Sequence, residues 1–91
     1  MSVTIRIPSQ LRPLCGGAGE VVVEGATVGE ALKSLDVAHP GFADRLFDEG
    51  GAVRRSVNLF VDDEDVRFLD GVNTTLDAGQ TLSIVPAVAG G

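Results

Sequence analysis

A nucleophile, a base, a metal or a phosphate each demands its own set of residues, and in this sequence most such sets are incomplete. His39 is the single histidine. No second histidine and no serine or cysteine motif stands near it to suggest a triad, so it reads as a polar helix-end residue before Pro40. Cys15 has no CxxC partner and lies in a turn-like stretch, where it reads as an incidental small apolar residue. Gly16-Gly17-Ala18-Gly19 lacks the Lys-Ser/Thr that closes a phosphate loop, because the chain continues Glu20-Val21. A dinucleotide fingerprint fails too, since no helix follows. Asp62-Asp63-Glu64-Asp65 has the charge of a calcium loop. An EF-hand, however, needs glycine at its sixth position and glutamate at its twelfth, where this chain has Arg67 and Asn73. These carboxylates read as a solvated acidic turn that could also touch a basic partner. No metal site is expected.

The C-terminus is different. After Pro86 the chain reads Ala87-Val88-Ala89-Gly90-Gly91, all small and uncharged. The segment from Pro86 can reach roughly 20 Å when extended. Most termini fray, but fraying does not require residues that are uniformly small. Gly90 and Gly91 have no Cβ, so they can pass a channel too tight for other residues. A narrow tip on a rigid base suits delivery of a carboxylate into another protein's active site. That carboxylate is ionised at neutral pH and is a poor electrophile. It must be activated, most simply as a mixed anhydride with adenylate. No nucleotide-binding motif is present, so a partner would have to do this. A sulfur nucleophile would then give a terminal thiocarboxylate, carried on the protein as a cofactor is carried.

The elements that must position such a tail follow from periodicity. Val3, Ile5 and Ile7 alternate with Thr4 and Arg6, which predicts a half-buried strand over 2–8, ended by Pro8. Residues 15–19 read as a turn, and Val21 and Val23 mark a second strand over 20–24. Thr27-Val28-Gly29-Glu30 has the form of a capping box, with Glu30 expected to return to the Thr27 N–H. Val28, Ala31, Leu32 and Leu35 then fall on one helix face. The helix is expected to end near 37–39, before Pro40. A short helix over 42–47 follows, then a strand over 56–61 with Val57, Leu59 and Val61 on one face and Asn58 and Phe60 on the other. A short strand over 66–68 and a last strand over 81–85, stopped by Pro86, complete the order β-β-α-β-β-β. This is an α+β pattern with one main helix on a mixed sheet, in which the first and last strands would be parallel if they lie together at its centre. The expected division is a domain over 1–86 and a tail over 87–91.

Bulk properties narrow the function further. Ninety-one residues make one domain, and a domain of this size buries only about 60–65% of its unfolded surface, leaving little room for a deep cleft. An enzyme acting alone is disfavoured. No apolar run approaches the roughly 20 residues that span a bilayer, and Met1 to Pro8 lacks a signal-peptide core. The cytoplasm is therefore the expected location. A single cysteine cannot form an internal disulfide. The net charge of −6 disfavours nucleic acid and anionic membranes, and taken alone suggests a basic face on a partner protein.

The sequence resembles the ubiquitin-like sulfur carriers, the ThiS/MoaD family, over essentially its whole length. The likeness rests on Val3-Thr4-Ile5-Arg6-Ile7-Pro8, Thr27-Val28-Gly29-Glu30-Ala31-Leu32, Val57-Asn58-Leu59-Phe60-Val61-Asp62, Leu76-Asp77-Ala78-Gly79-Gln80 and the tail. Leu11-Arg12-Pro13, Asp63-Glu64-Asp65-Val66-Arg67-Phe68 and Val85-Pro86 with the tail make it most similar to the actinobacterial cysteine-biosynthesis (CysO) type. The resemblance implies a β-grasp fold and a protein that is activated rather than itself an enzyme. It implies adenylation of Gly91, with Gly90 beside it, by an E1-like partner that uses ATP and magnesium, followed by thiocarboxylate formation. It further implies a sulfur-accepting synthase, pyridoxal-phosphate dependent in the cysteine pathway, and a metalloprotease that processes the tail. No cofactor would be bound by the chain itself, and the free carrier would be a monomer. The recognition face would be an apolar patch on the exposed side of the sheet beside the tail root. That places Phe60, Val85, Pro86, Ala87, Val88 and Ala89 at the partner.

Three alternatives share the fold. A small subunit of molybdopterin synthase would form a stable complex with a large catalytic subunit. A ubiquitin-like modifier would join Gly91 to lysine side chains. A plain interaction module would have an idle tail.

Overall fold

The structure, a computed structural model, describes residues 2–86. Met1 and the tail over 87–91, including Ala87, Val88, Ala89, Gly90 and Gly91, lie outside the described residues. Five strands and two α-helices alternate in the order β1 (Ser2–Arg6), β2 (Glu20–Glu24), α1 (Val28–Ala38), α2 (Phe42–Leu46), β3 (Val57–Val61), β4 (Glu64–Asp65) and β5 (Thr81–Pro86). Short 3-10 helices occupy Ser9–Cys15, Val66–Phe68 and Gly71–Asn73. The sheet order is β2-β1-β5-β3-β4. β1 and β5 run parallel at its centre, with Ile5 opposite Leu82, and every other pairing is antiparallel. This is the mixed β-grasp sheet.

Alternation sets the two faces. Val3, Ile5, Val57, Leu59, Val61, Leu82 and Ile84 are buried, together with Val28, Ala31, Leu32 and Leu35 of α1 and Phe42 and Leu46 of α2. Each of the larger side chains contributes about 1.5–3 kcal/mol on burial. Phe42 and Leu46 sit inward as their spacing suggests, while Phe47 is only partly buried against the core.

The helix starts where its cap lies. The Thr27 hydroxyl accepts the Glu30 N–H at 3.2 Å. The return arm differs from the expected one, since the Glu30 carboxylate accepts the Ala26 N–H at 3.0 Å rather than that of Thr27. The segment between β2 and α1 is tight enough to bring that earlier donor within reach. A Cβ placed on Gly25 would stand 2.7 Å from the Ala31 nitrogen and 2.9 Å from its Cα. Gly25 is therefore where α1 and the end of β2 come into contact. The Ser34 hydroxyl adds a further tie, donating to the Glu24 carbonyl at 2.7 Å.

Three expected boundaries are corrected. β1 ends at Arg6 rather than at 8, and the chain turns into the 3-10 helix Ser9–Cys15 before the glycines. The fourth strand is Glu64–Asp65, and Val66–Phe68 is helical. The reason is local: the Asp65 carboxylate accepts the Arg67 N–H at 2.8 Å and caps a turn. Val66 is accordingly buried and Phe68 87% exposed, where a strand would have placed both on one face. Finally, β5 includes Pro86, which pairs in register with Val57. A proline can end a ladder because the missing N–H costs nothing at the last rung, and the Val57 N–H is spent on the Arg54 carbonyl at 3.0 Å.

Candidate functional site

The last strand carries the chain toward its C-terminus. β5 is hydrogen-bonded to β1 on one side and to β3 on the other. Its start is fixed by Asp62, whose carboxylate accepts the Thr81 N–H at 3.2 Å and the Gln80 side-chain N–H at 3.1 Å. Asp62 itself takes a positive φ of 55°, a conformation that aspartate tolerates better than most residues. The acidic run 62–65 is thus used in building the β3–β4 turn and the β5 entry. Among the described residues no cluster of three or more His, Cys, Asp or Glu could hold a metal.

Register places the expected contact residues on the sheet face away from the core. Phe60 lies between Ser83 of β5 and Asp65 of β4, and is half-buried. Val85 lies opposite Asn58 and is 42% exposed. The two are diagonal neighbours across adjacent strands, a separation of roughly 7–8 Å that large side chains can span. Pro86 follows at the sheet end. The structure thus places Phe60 and Val85 on one outer face near the end of β5, while Pro86, opposite the buried Val57, closes the last rung on the core-facing side. The other expected site residues, Ala87 to Gly91, lie outside the described residues.

Sequence reading missed a set of arginines around this exit. Arg6 faces Ser83 and, on its other side, Glu20. With Pro8, Arg12 and Val85 it lines a groove beside the end of β5, and Arg12 Nε donates to the Ile7 carbonyl at 3.1 Å. On the β3 side, Arg54, Arg55 and Arg67 line a second groove with Val57. Arg67 donates to the Asn58 side chain, and to the Val57 carbonyl at 3.4 Å. The only sequence signal was Arg6 at an outward position of β1; the others come from distant segments that topology gathers.

The groups considered for side-chain chemistry have structural surroundings. Cys15 is buried in the core cluster, its Sγ 3.5 Å and 3.4 Å from the Arg12 and Ala18 carbonyl oxygens. His39 caps the end of α1, its N–H donating to the Leu35 carbonyl at 2.8 Å. No helix of the described residues is long and apolar enough to cross a membrane.

A five-stranded mixed sheet carrying one main helix, with its central last strand feeding the C-terminal segment, defines a ubiquitin-like β-grasp protein. The ThiS family matches residues 5–91, and the chain belongs to that family. It is 43% identical to the sulfur carrier protein CysO of Mycobacterium tuberculosis over 93 residues, spanning 100% of both chains. It is also 43% identical over 70 residues to small archaeal modifier protein 3 of Haloferax volcanii, covering 77% of this chain and 75% of that protein. Among solved structures, the Amycolatopsis orientalis BexX/CysO complex contains a chain that superposes with a TM-score of 0.92. That chain is 44% identical, with 98% of this chain and 99% of the other covered. The chain is thus a homologue of sulfur carrier proteins, which are small carriers rather than catalysts.

Proposed function

We propose that this protein carries sulfur on the terminal carboxylate of Gly91, for cysteine or for a sulfur-containing metabolite. The observation that carries this reading is end-to-end similarity to CysO, tail included. The carboxylate oxygen attacks the α-phosphate of ATP in an E1-like partner, with magnesium balancing the phosphate charge, and pyrophosphate leaves. A sulfide-level nucleophile then attacks the acyl carbon, AMP leaves, and the thiocarboxylate remains. This chain contributes the carboxylate, a strand-anchored root at Val85 and Pro86, and a contact face at Phe60. Gly90 and the small residues Ala87, Val88 and Ala89 keep the tip narrow enough for the partner's channel. A synthase, pyridoxal-phosphate dependent in the cysteine route, takes the sulfur, and a metalloprotease trims the loaded tail. The likeness to a chain of the BexX/CysO complex, over 98% of this chain and 99% of that one, supports recognition by partner enzymes of this kind.

The similarity to small archaeal modifier protein 3 supports a second reading, in which Gly91 is joined to lysine side chains. Deleting Gly91, or appending one residue after it, separates the carrier reading from an idle tail. Either change should abolish sulfur transfer and leave the unfolding midpoint unaltered. Sulfur transfer by either variant would overturn the terminal-carboxylate mechanism. High-mass conjugates in cells, lost on the same deletion, would favour the modifier.

A further inference from the structure

Part of the charge of this chain is separated along the strand axis. Of its seven basic residues, Arg6, Arg12, Arg54, Arg55 and Arg67 line the two grooves that flank the end of β5. Glu20, beside Arg6, is the carboxylate lining the first groove. The opposite end of the sheet, where β1 and β5 begin, carries Glu24 opposite Ser2, Glu64 opposite Val61, and Asp62 bonded to Thr81. With a rise of about 3.3 Å per residue, β5 separates the two ends by about 17 Å. That exceeds a Debye length of about 8–10 Å at ordinary ionic strength, so these arginines are largely screened from the carboxylates at the far end.

The net charge of −6 alone points to a basic partner face. The distribution points the other way at the end that matters. We propose that these arginines form a basic collar around the tail root, and that the collar docks an acidic rim at the mouth of the activating enzyme's tail channel. This deepens the carrier reading and rests on it. Guanidinium groups suit the task, since they stay charged and pair bidentately with carboxylates. Arg12 and Arg67 are held by backbone carbonyls just past the end of β1 and at the start of β3, at Ile7 and Val57. They are thereby oriented before any partner arrives. The apolar contact at Phe60 and Val85 would give adhesion, and the collar would give encounter rate and registration of the tail with the channel.

The test is ATP–pyrophosphate exchange with the E1-like activating enzyme of the same genome, varying the carrier concentration. The variants are Arg6→Gln and Arg55→Glu, singly and together, because neither side chain makes a hydrogen bond within the described residues. The double variant should keep its circular dichroism and unfolding midpoint. Its KM for carrier should rise about tenfold at low salt, with kcat held. The gap should close as salt rises from about 0.05 M to about 0.5 M, and Arg55→Lys, which keeps the charge without the bidentate fork, should fall between wild type and Arg55→Glu. A double variant with wild-type KM and wild-type salt dependence would overturn the collar while leaving the carrier reading intact. A rise in KM for ATP instead would assign the arginines to nucleotide phosphates and also overturn it. A wild-type carrier that supports no exchange would sink the carrier reading, and the collar with it.

Discussion

Replacing Gly25 with alanine tests whether α1 is seated on the sheet as closely as the structure has it. The added Cβ would stand 2.7 Å from the Ala31 nitrogen and 2.9 Å from its Cα. Both are backbone atoms within the helix, so no flexible side chain can swing aside. The first turn of α1 must move. Overpacking of this kind costs about 1–3 kcal/mol. The movement also strains the bond from the Ala26 N–H to the Glu30 carboxylate, worth about 1 kcal/mol. A total of about 2–4 kcal/mol is a large share of the roughly 5–15 kcal/mol that stabilises a domain. With a urea slope of about 1–3 kcal/mol per M, the midpoint should fall by roughly 1 M or more. Gly19→Ala is the matched control. The nearest atoms to its Cβ would be those of the Arg12 guanidinium, at 3.6 Å. That substitution should be neutral or stabilising by about 0.4–1 kcal/mol through the unfolded chain. Equal urea midpoints for the two variants would refute the close helix–sheet approach.

Other perturbations follow from the same geometry. Thr27→Ala removes the acceptor of the Glu30 N–H and should cost about 1 kcal/mol, lowering the melting temperature by about 4–8 °C in a calorimetric scan. Phe60→Asp puts a second carboxylate beside Asp65, at a stability cost of about 1 kcal/mol or less. It should weaken binding to the activating partner by at least about 2 kcal/mol, roughly thirtyfold, in a titration; undiminished adenylation would mean the contact face lies elsewhere. Glu24 is held below the ordinary carboxylate range by the Ser2 hydroxyl. Its folded pKa is depressed, so its contribution is present above the unfolded value and is lost as pH falls through the lowered one. In Ser2→Ala the Glu24 titration followed by NMR should move upward, and an unmoved titration would assign the shift to another cause.

Much of the fold was legible because its signals are local. The two-residue period of Val3-Ile5 and Val57-Leu59-Val61, the Thr27 cap and the barrier at Pro40 each act within a few residues. Together they gave the element order and the faces of Phe60 and Val85; that β1 and β5 lie side by side at the centre, and so run parallel, comes from the structure. What escaped was decided by competition between backbone and side chain, or by distance in sequence. Val66-Arg67-Phe68 has strand-forming residues, yet one Asp65 carboxylate bonding the Arg67 N–H turns it helical. Pro86 was expected to stop β5 and instead closes its last rung. The arginine collar could not be read from spacing, because Arg6 and Arg67 meet the same strand end only through the sheet order β1-β5-β3. Net charge pointed to a basic partner because it averages these arginines with the carboxylates at the far end.

If Gly91 is the working group, its chemistry will show in the intact mass of the protein. The full chain would be incubated with ATP, magnesium, the E1-like partner and a sulfide source. The expected result is a gain equal to exchanging one oxygen for sulfur, absent when Gly91 is deleted. An unchanged mass with a partner shown to be active on another carrier, or a gain that survives the deletion, would contradict it.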